Sequence, residues 1–245
     1  MSLQLHAIRG TLGFSFLVTE KRPDKNRAIL FDACLGCAPR KLAALFAKLG
    51  LRPDALCAIQ LTHAHIDHCV NAAALQRWSG APVYCPVDDK AWLLGRARYR
   101  GLNKIGGALE AVGRFLWRYE APADVRYFVP PQEPQAPETL PHFDAIQAIA
   151  LPGHTPGHTG YWIPATGQLI AGDLFAEIAG LAHAPPRIFT DDRPEALRSI
   201  AKAAALEPSE VFVCHVGRAD GARASGARGS ATLRKLASRH ARAER

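Results

Sequence analysis

The run Thr62-His63-Ala64-His65-Ile66-Asp67-His68 constrains this chain more than any other stretch. It follows an apolar segment, Ala58–Thr62, that reads as a buried strand. It precedes Val70–Trp78, which reads as a helix closed by Ser79-Gly80. In an extended stretch His63 and His65 point to the same side, so their rings can converge on one cation. Asp67 and His68 fall at the turn into the helix and can face a second. Imidazole and carboxylate suit zinc and similar first-row metals. Burying this many ligand-type residues so close together is costly without a metal or other partners. A packing or surface role accounts for isolated histidines such as His6, His142 and His240, but not for this run.

Three further residues of ligand type stand where predicted strands give way to loops. His154 follows Ala145–Leu151 in the run Leu151-Pro152-Gly153-His154-Thr155-Pro156-Gly157-His158, Asp173 follows Gln168–Ala171, and His215 follows Glu210–Cys214. In layered α/β folds such strand ends gather along one edge, so these loops and the first cluster can meet in one cleft. His158 either supports a ligand from behind or fixes the Pro-Gly turn. Asp32, ending the predicted strand Ala28–Asp32, is a candidate acceptor behind a ligand. Cys34-Leu35-Gly36-Cys37 is a lone CxxC; without a second pair it makes no structural zinc site, and a metal-site or redox role stays open. Cys69 and Cys214 read as small hydrophobes.

The remaining pattern supports an α/β layered chain. Leu3–His6, Phe14–Thr19, Pro82–Cys85 and Thr159–Pro164 read as strands. Arg40–Leu49 and Arg193–Leu206 read as helices, the second capped by Asp191 or Asp192. Val87–Glu120 reads as helical, with aromatic residues among cations, and Pro130–Pro141 as a proline-rich connector. At 245 residues the chain allows one large domain or two small ones. The net charge of +8 is uneven. Positions 216–245 hold eight Arg and Lys against two acids, which is +6 and leaves about +2 for the rest. That tail reads as a solvated, partly helical terminus or as a contact for an anionic partner, and it has no aromatic residues for base stacking. No apolar run reaches about 18 residues, so neither a membrane span nor a membrane partner is expected. The first ten residues show no secretory pattern, and the six cysteines are expected reduced in a cytoplasmic setting.

Taken in order, His63-x-His65-x-Asp67-His68, His154, Asp173 and His215 resemble the metallo-β-lactamase superfamily, over roughly Leu12 to Val216. The resemblance implies an α/β fold, a four-layer αββα sandwich with a helical insertion. Residues 1–216 would form the domain, with 87–141 as a helical and proline-rich cap, and 217–245 as a basic, helical tail. It also implies two divalent ions, zinc first, with iron or manganese as alternatives. His63, His65 and His154 would hold one ion, Asp67, His68 and His215 the other, with Asp173 between them. The Pro-Gly-His-Thr-Pro-Gly-His run is most similar to the glyoxalase II-like and lactonase-like branches. Two departures stand out: Cys69-Val70-Asn71 where family members often carry glycine, and a short basic tail where glyoxalase II has a longer helical domain.

The implied activity is hydrolysis of a thioester, ester or lactone of a small substrate by a metal-bridged hydroxide, with Asp67 and Asp173 in catalytic roles. Trp92, Tyr99 and Trp117 would form an apolar wall, and Arg96 and Arg100 would meet anionic groups of the substrate. The alternatives are a nuclease of the same superfamily, a mono-iron persulfide dioxygenase using His63, His154 and Asp173, and a non-catalytic binding protein. A nucleic-acid partner is not expected, and the pattern does not set an oligomeric state.

Overall fold

A computed structural model of the chain describes residues 2–23, 26–37, 39–133, 139–140, 143–178, 181–216 and 229–243. It divides into two compact units, Met1–Ala97 with Leu109–Phe128, and Arg98–Ala108 with Val129–Arg245.

The first unit is built on a six-stranded sheet. In chain order it contains β1 (Ser2–Arg9), β2 (Phe14–Lys21), β3 (Arg27–Phe31), α1 (Pro39–Leu49), β4 (Leu56–Gln60), α2 (Ile66–Cys69), α3 (Ala72–Ser79), β5 (Val83–Pro86), α4 (Lys90–Leu93) and β6 (Val125–Phe128). Spatial order follows chain order, β1 to β6. The β1–β2–β3 meander is antiparallel, and each later pair is parallel. Parallel neighbours need a crossover, and the helices supply it. In α1 the apolar residues recur at helical spacing, Leu42, Leu45, Phe46 and Leu49, and Leu42 and Phe46 are buried. They pack with Leu75 of α3 against Leu17, Leu30, Ile59 and Val83 on one sheet face. Alternate residues Phe16, Val18, Ile29, Phe31 and Ala58 are buried as well. A strand buried on both faces reads as a continuous apolar run, which is how β3 appears in the sequence.

Helix α5 (Asn103–Leu116) begins in the second unit and ends in the first. It carries Gly106, Gly107 and Gly113 in its interior, which weakens a helix. Close approach explains them. A Cβ on Gly106 would overlap the Ile188 carbonyl oxygen, and one on Gly107 would overlap the Tyr99 ring.

The second unit is built on a five-stranded sheet ordered β13-β10-β9-β8-β7. Its strands are β7 (Thr139–Leu140), β8 (Phe143–Ala150), β9 (Thr159–Ile163), β10 (Gln168–Gly172) and β13 (Glu210–Val213); β11 (Ala176–Ile178) and β12 (Leu181–His183) form a separate hairpin. Only the β10–β13 pair of this sheet is parallel, and α6 (Arg193–Ala205) crosses between its strands. Ile200, Ala203 and Ala204 of α6 pack with Leu233 and Leu236 of α7 (Gly229–Ala243) on Leu169, Val211 and Val213. Asp192 caps α6, its side chain accepting the Glu195 N–H at 2.9 Å. Asp192→Ala is expected to cost about 1 kcal/mol and to lower the thermal midpoint by about 2–4 °C in a melting curve.

The sequence reading needs several corrections. The helix expected over Val70–Trp78 starts at Ala72 and runs to Ser79, and a separate single turn, Ile66–Cys69, precedes it; between them the Asn71 N–H donates to the Ala33 carbonyl. The Val87–Glu120 stretch is also not one helix, since residues 94–102 leave helical geometry between α4 and α5. Within 87–141, Val125–Phe128 is a strand of the six-stranded sheet and Thr139–Leu140 a strand of the five-stranded sheet. The connector at 134–138 lies outside the described residues, as do 217–228 and 244–245 of the basic tail. What is described of that tail is α7, with Arg234, Lys235 and Arg239 exposed and Leu233 and Leu236 in the core. No helix among the described residues is long and apolar enough to cross a membrane.

Candidate metal centre

In the first unit the ligand-type residues sit in the loop after β4 and in the short α2. The apolar register of β4 ends at Gln60. Thr62, His63 and Ala64 are extended or turn-like, and His65 is the residue before α2, so Asp67 and His68 lie within its single turn. Asp32, directly after β3, organises this loop. Its backbone takes the left-handed region, φ 59°, which aspartate tolerates better than most residues. Its carboxylate accepts the Thr62 N–H at 2.8 Å, the Thr62 hydroxyl at 2.9 Å and the His68 Nδ1–H at 2.9 Å.

These bonds set two tautomers. The Thr62 hydroxyl proton is committed to Asp32, so its 3.0 Å contact with His63 Nδ1 has the imidazole as donor. His63 therefore presents the lone pair of Nε2, and so does His68, whose Nδ1–H is held by Asp32. His63 Nε2 lies 3.1 Å from His65 Nδ1. Nitrogen donors about 2.0–2.1 Å from a tetrahedral ion stand roughly 3.3 Å apart, so this pair is spaced for one cation. His63 and His68 are fully buried, whereas the Asp67 side chain is 22% exposed.

In the second unit three loops carry the candidates. His154 lies beyond β8, Asp173 immediately follows β10, and His215 lies beyond β13. Asp173 Oδ2 stands 3.4 Å from His154 Nε2 and 3.2 Å from His215 Nε2, again the spacing of atoms that share an ion. His158 uses both ring nitrogens within the protein. Its Nδ1–H donates to the Leu151 carbonyl at 2.9 Å, and its Nε2 accepts the Asp173 N–H at 3.1 Å. It fixes the loop that presents Asp173. The His154 loop is tied to the start of α6, whose Asp191 and Asp192 N–H groups donate to the His154 and Gly153 carbonyls.

The residues expected to meet substrate divide differently. Trp92 packs against the core of the first unit, and its carbonyl accepts the Arg114 guanidinium at 2.6 Å. The Tyr99 and Trp117 rings lie across Gly107 and Gly113 of α5. Arg96 and Arg100 are exposed. The three rings thus make packing contacts, and the two cations face solvent. In the CxxC, the Cys34 thiol donates to the Phe14 carbonyl at 3.3 Å, and burial pushes the Cys37 thiol up to about 11, so Cys37 is protonated at neutral pH.

Sequence reasoning missed two carboxylates. Asp89, fully buried, accepts the Ala64 N–H at 2.9 Å, and Glu110 of α5 accepts the Ile66 N–H at 2.9 Å. Burial pushes Glu110 up to about 7, against the opposing pull of the Ile66 N–H and Arg114, whose guanidinium stands 3.5 Å away. One signal existed: Glu110 is the lone acid among seven Arg and Lys between positions 90 and 118, with an arginine four residues on.

The chain was compared with known proteins. The family model described as "Metallo-beta-lactamase superfamily" matches residues 8–215. The probable metallo-hydrolase YflN of Bacillus subtilis (strain 168) is 29% identical over 172 residues, covering 64% of this chain and 63% of that protein. A hydroxyacylglutathione hydrolase of Rhodobacter capsulatus is 27% identical over 158 residues, covering 64% of this chain and 46% of that protein. The matches thus span less than two thirds of these relatives' lengths. Among solved structures, a metallo-beta-lactamase family protein of Thermus thermophilus, TTHA1429, aligns with a TM-score of 0.66 at 21% identity, over 98% of this chain and 79% of that one. The fold is therefore the mixed α/β fold of such proteins, and with a family model spanning most of its length, the chain belongs to the metallo-beta-lactamase superfamily.

Proposed function

We propose that this chain is a dinuclear metal-dependent hydrolase that cleaves a thioester, ester or lactone of a small substrate. His63, His65 and His154 would hold one ion, and Asp67, His68 and His215 the other, with Asp173 serving both. The observation that carries this reading is the Asp173 carboxylate, one oxygen of which stands at ligand spacing from two imidazole nitrogens on separate loops. The preset Nε2 lone pairs of His63 and His68 support it, since a neutral imidazole with one nitrogen held is the ligand form. Family membership supports the reaction class, and the hydroxyacylglutathione hydrolase among the relatives favours a thioester.

Divalent cations held by these residues would lower the pKa of water towards neutrality and polarise a carbonyl. The chain's own residues do the rest. Asp67, whose carboxylate reaches solvent, would accept a proton from the attacking water or pass one to the leaving group. Asp32 keeps His63 and His68 in ligating tautomers, and His158 holds the backbone of Asp173. Arg96 and Arg100, exposed at the insertion, are the candidate contacts for a substrate's anionic groups.

Metal analysis by mass spectrometry, followed by a panel of thioesters, lactones and phosphodiesters, tests the proposal. Two divalent ions per chain and turnover of an acyl substrate are expected. One iron per chain with oxygen consumption would replace the reading with the dioxygenase. Phosphodiester cleavage with steep salt dependence of RNA binding would replace it with a nuclease.

A further inference from the structure

The ligand loop is held from behind by three buried carboxylates in a regular pattern. Its N–H groups at positions 62, 64 and 66 are accepted by Asp32, Asp89 and Glu110 respectively. Those N–H groups alternate with the candidate ligands at 63, 65 and 67. Every second backbone donor of the loop is thus pinned, and residues 64 and 66 each lie between two candidate ligands. Asp32 comes from the end of β3, but Asp89 and Glu110 both belong to the segment between β5 and β6. Glu110 is braced in turn. Arg114, one helical turn on, stands 3.5 Å from its carboxylate and also donates to the Trp92 carbonyl at 2.6 Å. Arg114 also lies 4.4 Å over the Tyr119 ring, whose hydroxyl donates to the Leu93 carbonyl at 2.8 Å.

We propose that Asp89 and Glu110 are positioning residues through which the β5–β6 segment sets the metal-ligand geometry of the His63–His68 loop. The inference rests on the metal-hydrolase reading above. Neither residue is among the candidate ligands. Each fixes the peptide planes that aim the ligands, and partners of this kind behind a ligand shell are typically worth about 10–100-fold in metal affinity. The segment between β5 and β6 would then tune the ions' hold.

A matched pair of variants isolates the backbone bond. Glu110→Gln and Glu110→Met both remove the charge and nearly conserve volume, but only glutamine keeps an acceptor for the Ile66 N–H. The full chain would be titrated with Zn2+ against a competing chelator, and amide hydrogen exchange followed at Ala64 and Ile66. The methionine variant is expected to bind Zn2+ about 10–100-fold more weakly than the glutamine variant and to exchange the Ile66 amide faster. Asp89→Asn against Asp89→Leu repeats the comparison at Ala64 and decides the matter if a Glu110 variant fails to fold. Equal Zn2+ affinities within each pair, with wild type binding Zn2+ normally, would overturn this inference alone. A wild-type chain that binds no divalent metal would instead overturn the hydrolase reading.

Discussion

His65→Ala is expected to lower metal content and hydrolytic activity together while leaving the fold intact. His65 is buried and presents Nδ1 3.1 Å from His63 Nε2, so its loss removes one of two neighbouring donors from the first unit. Weakening a partner behind a ligand already costs about 10–100-fold, so deleting a ligand is expected to lower kcat/KM by more than about 100-fold. The backbone has little at stake. His65 precedes α2 without capping it through its side chain, and the loop's anchors are the peptide N–H groups at 62, 64 and 66. The far-UV spectrum should therefore stay at wild type. Metal analysis and kinetics on the same preparation check the result. A variant with wild-type occupancy and full turnover would remove His65 from the ligand set.

The parts of this chain that were legible in its sequence share a physical origin. The run from His63 to His68 stands out because polar ligand types cluster directly after an apolar strand. The positions of His154, Asp173 and His215 follow from where apolar strands stop. Such features are local, and short windows carry them. Helix α1 was legible for the same reason, with Leu42, Leu45, Phe46 and Leu49 on one face and Gly50, at φ 65°, closing it.

What stayed hidden depends on distant pairings. Asp89 reaches Ala64 across 25 positions and Glu110 reaches Ile66 across 44, and no spacing rule announces either. The short helix Ile66–Cys69 and the break at Asn71 that separates it from Ala72–Ser79 depend on loop residue Ala33, whose carbonyl accepts the Asn71 N–H. The edge strand Val125–Phe128 is too short to show its period, and it pairs with β5 only after the intervening helices have folded back. The aromatic residues of the insertion carried a signal with two meanings. A ring that packs against a helix glycine and a ring that lines a substrate wall look alike in sequence, and the close approaches of Tyr99 to Gly107 and of Trp117 to Gly113 appear only in the structure.

Gly153→Ala tests how far the position of His154 depends on one close approach. Gly153 has φ 124°, a conformation that side chains rarely adopt, and a Cβ there would overlap the Ala196 backbone nitrogen and lie 2.5 Å from its Cα. Those are backbone atoms in the first turn of α6, so no side chain can rotate away. Strained backbone costs about 1–3 kcal/mol and overpacking about 1–3 kcal/mol more, so the sum is roughly 2–6 kcal/mol. For a chain of this size that corresponds to a drop of roughly 5–20 °C in thermal midpoint. The strain relaxes only by moving the loop from α6, and the bonds that tie it there, from the Asp191 and Asp192 N–H groups to the His154 and Gly153 carbonyls, would break. Displacing His154 separates it from Asp173, so on the proposed ligand set metal retention is expected to fall with stability. Gly80→Ala is the control. Gly80 is also left-handed, at φ 77°, but a Cβ there meets nothing within 4 Å, so only the conformational cost of about 1–2 kcal/mol applies. Melting curves and metal analysis on the two variants should separate widely. Equal midpoints for Gly153→Ala and Gly80→Ala would mean that the loop yields freely, and that its contact with α6 does not hold His154 in place.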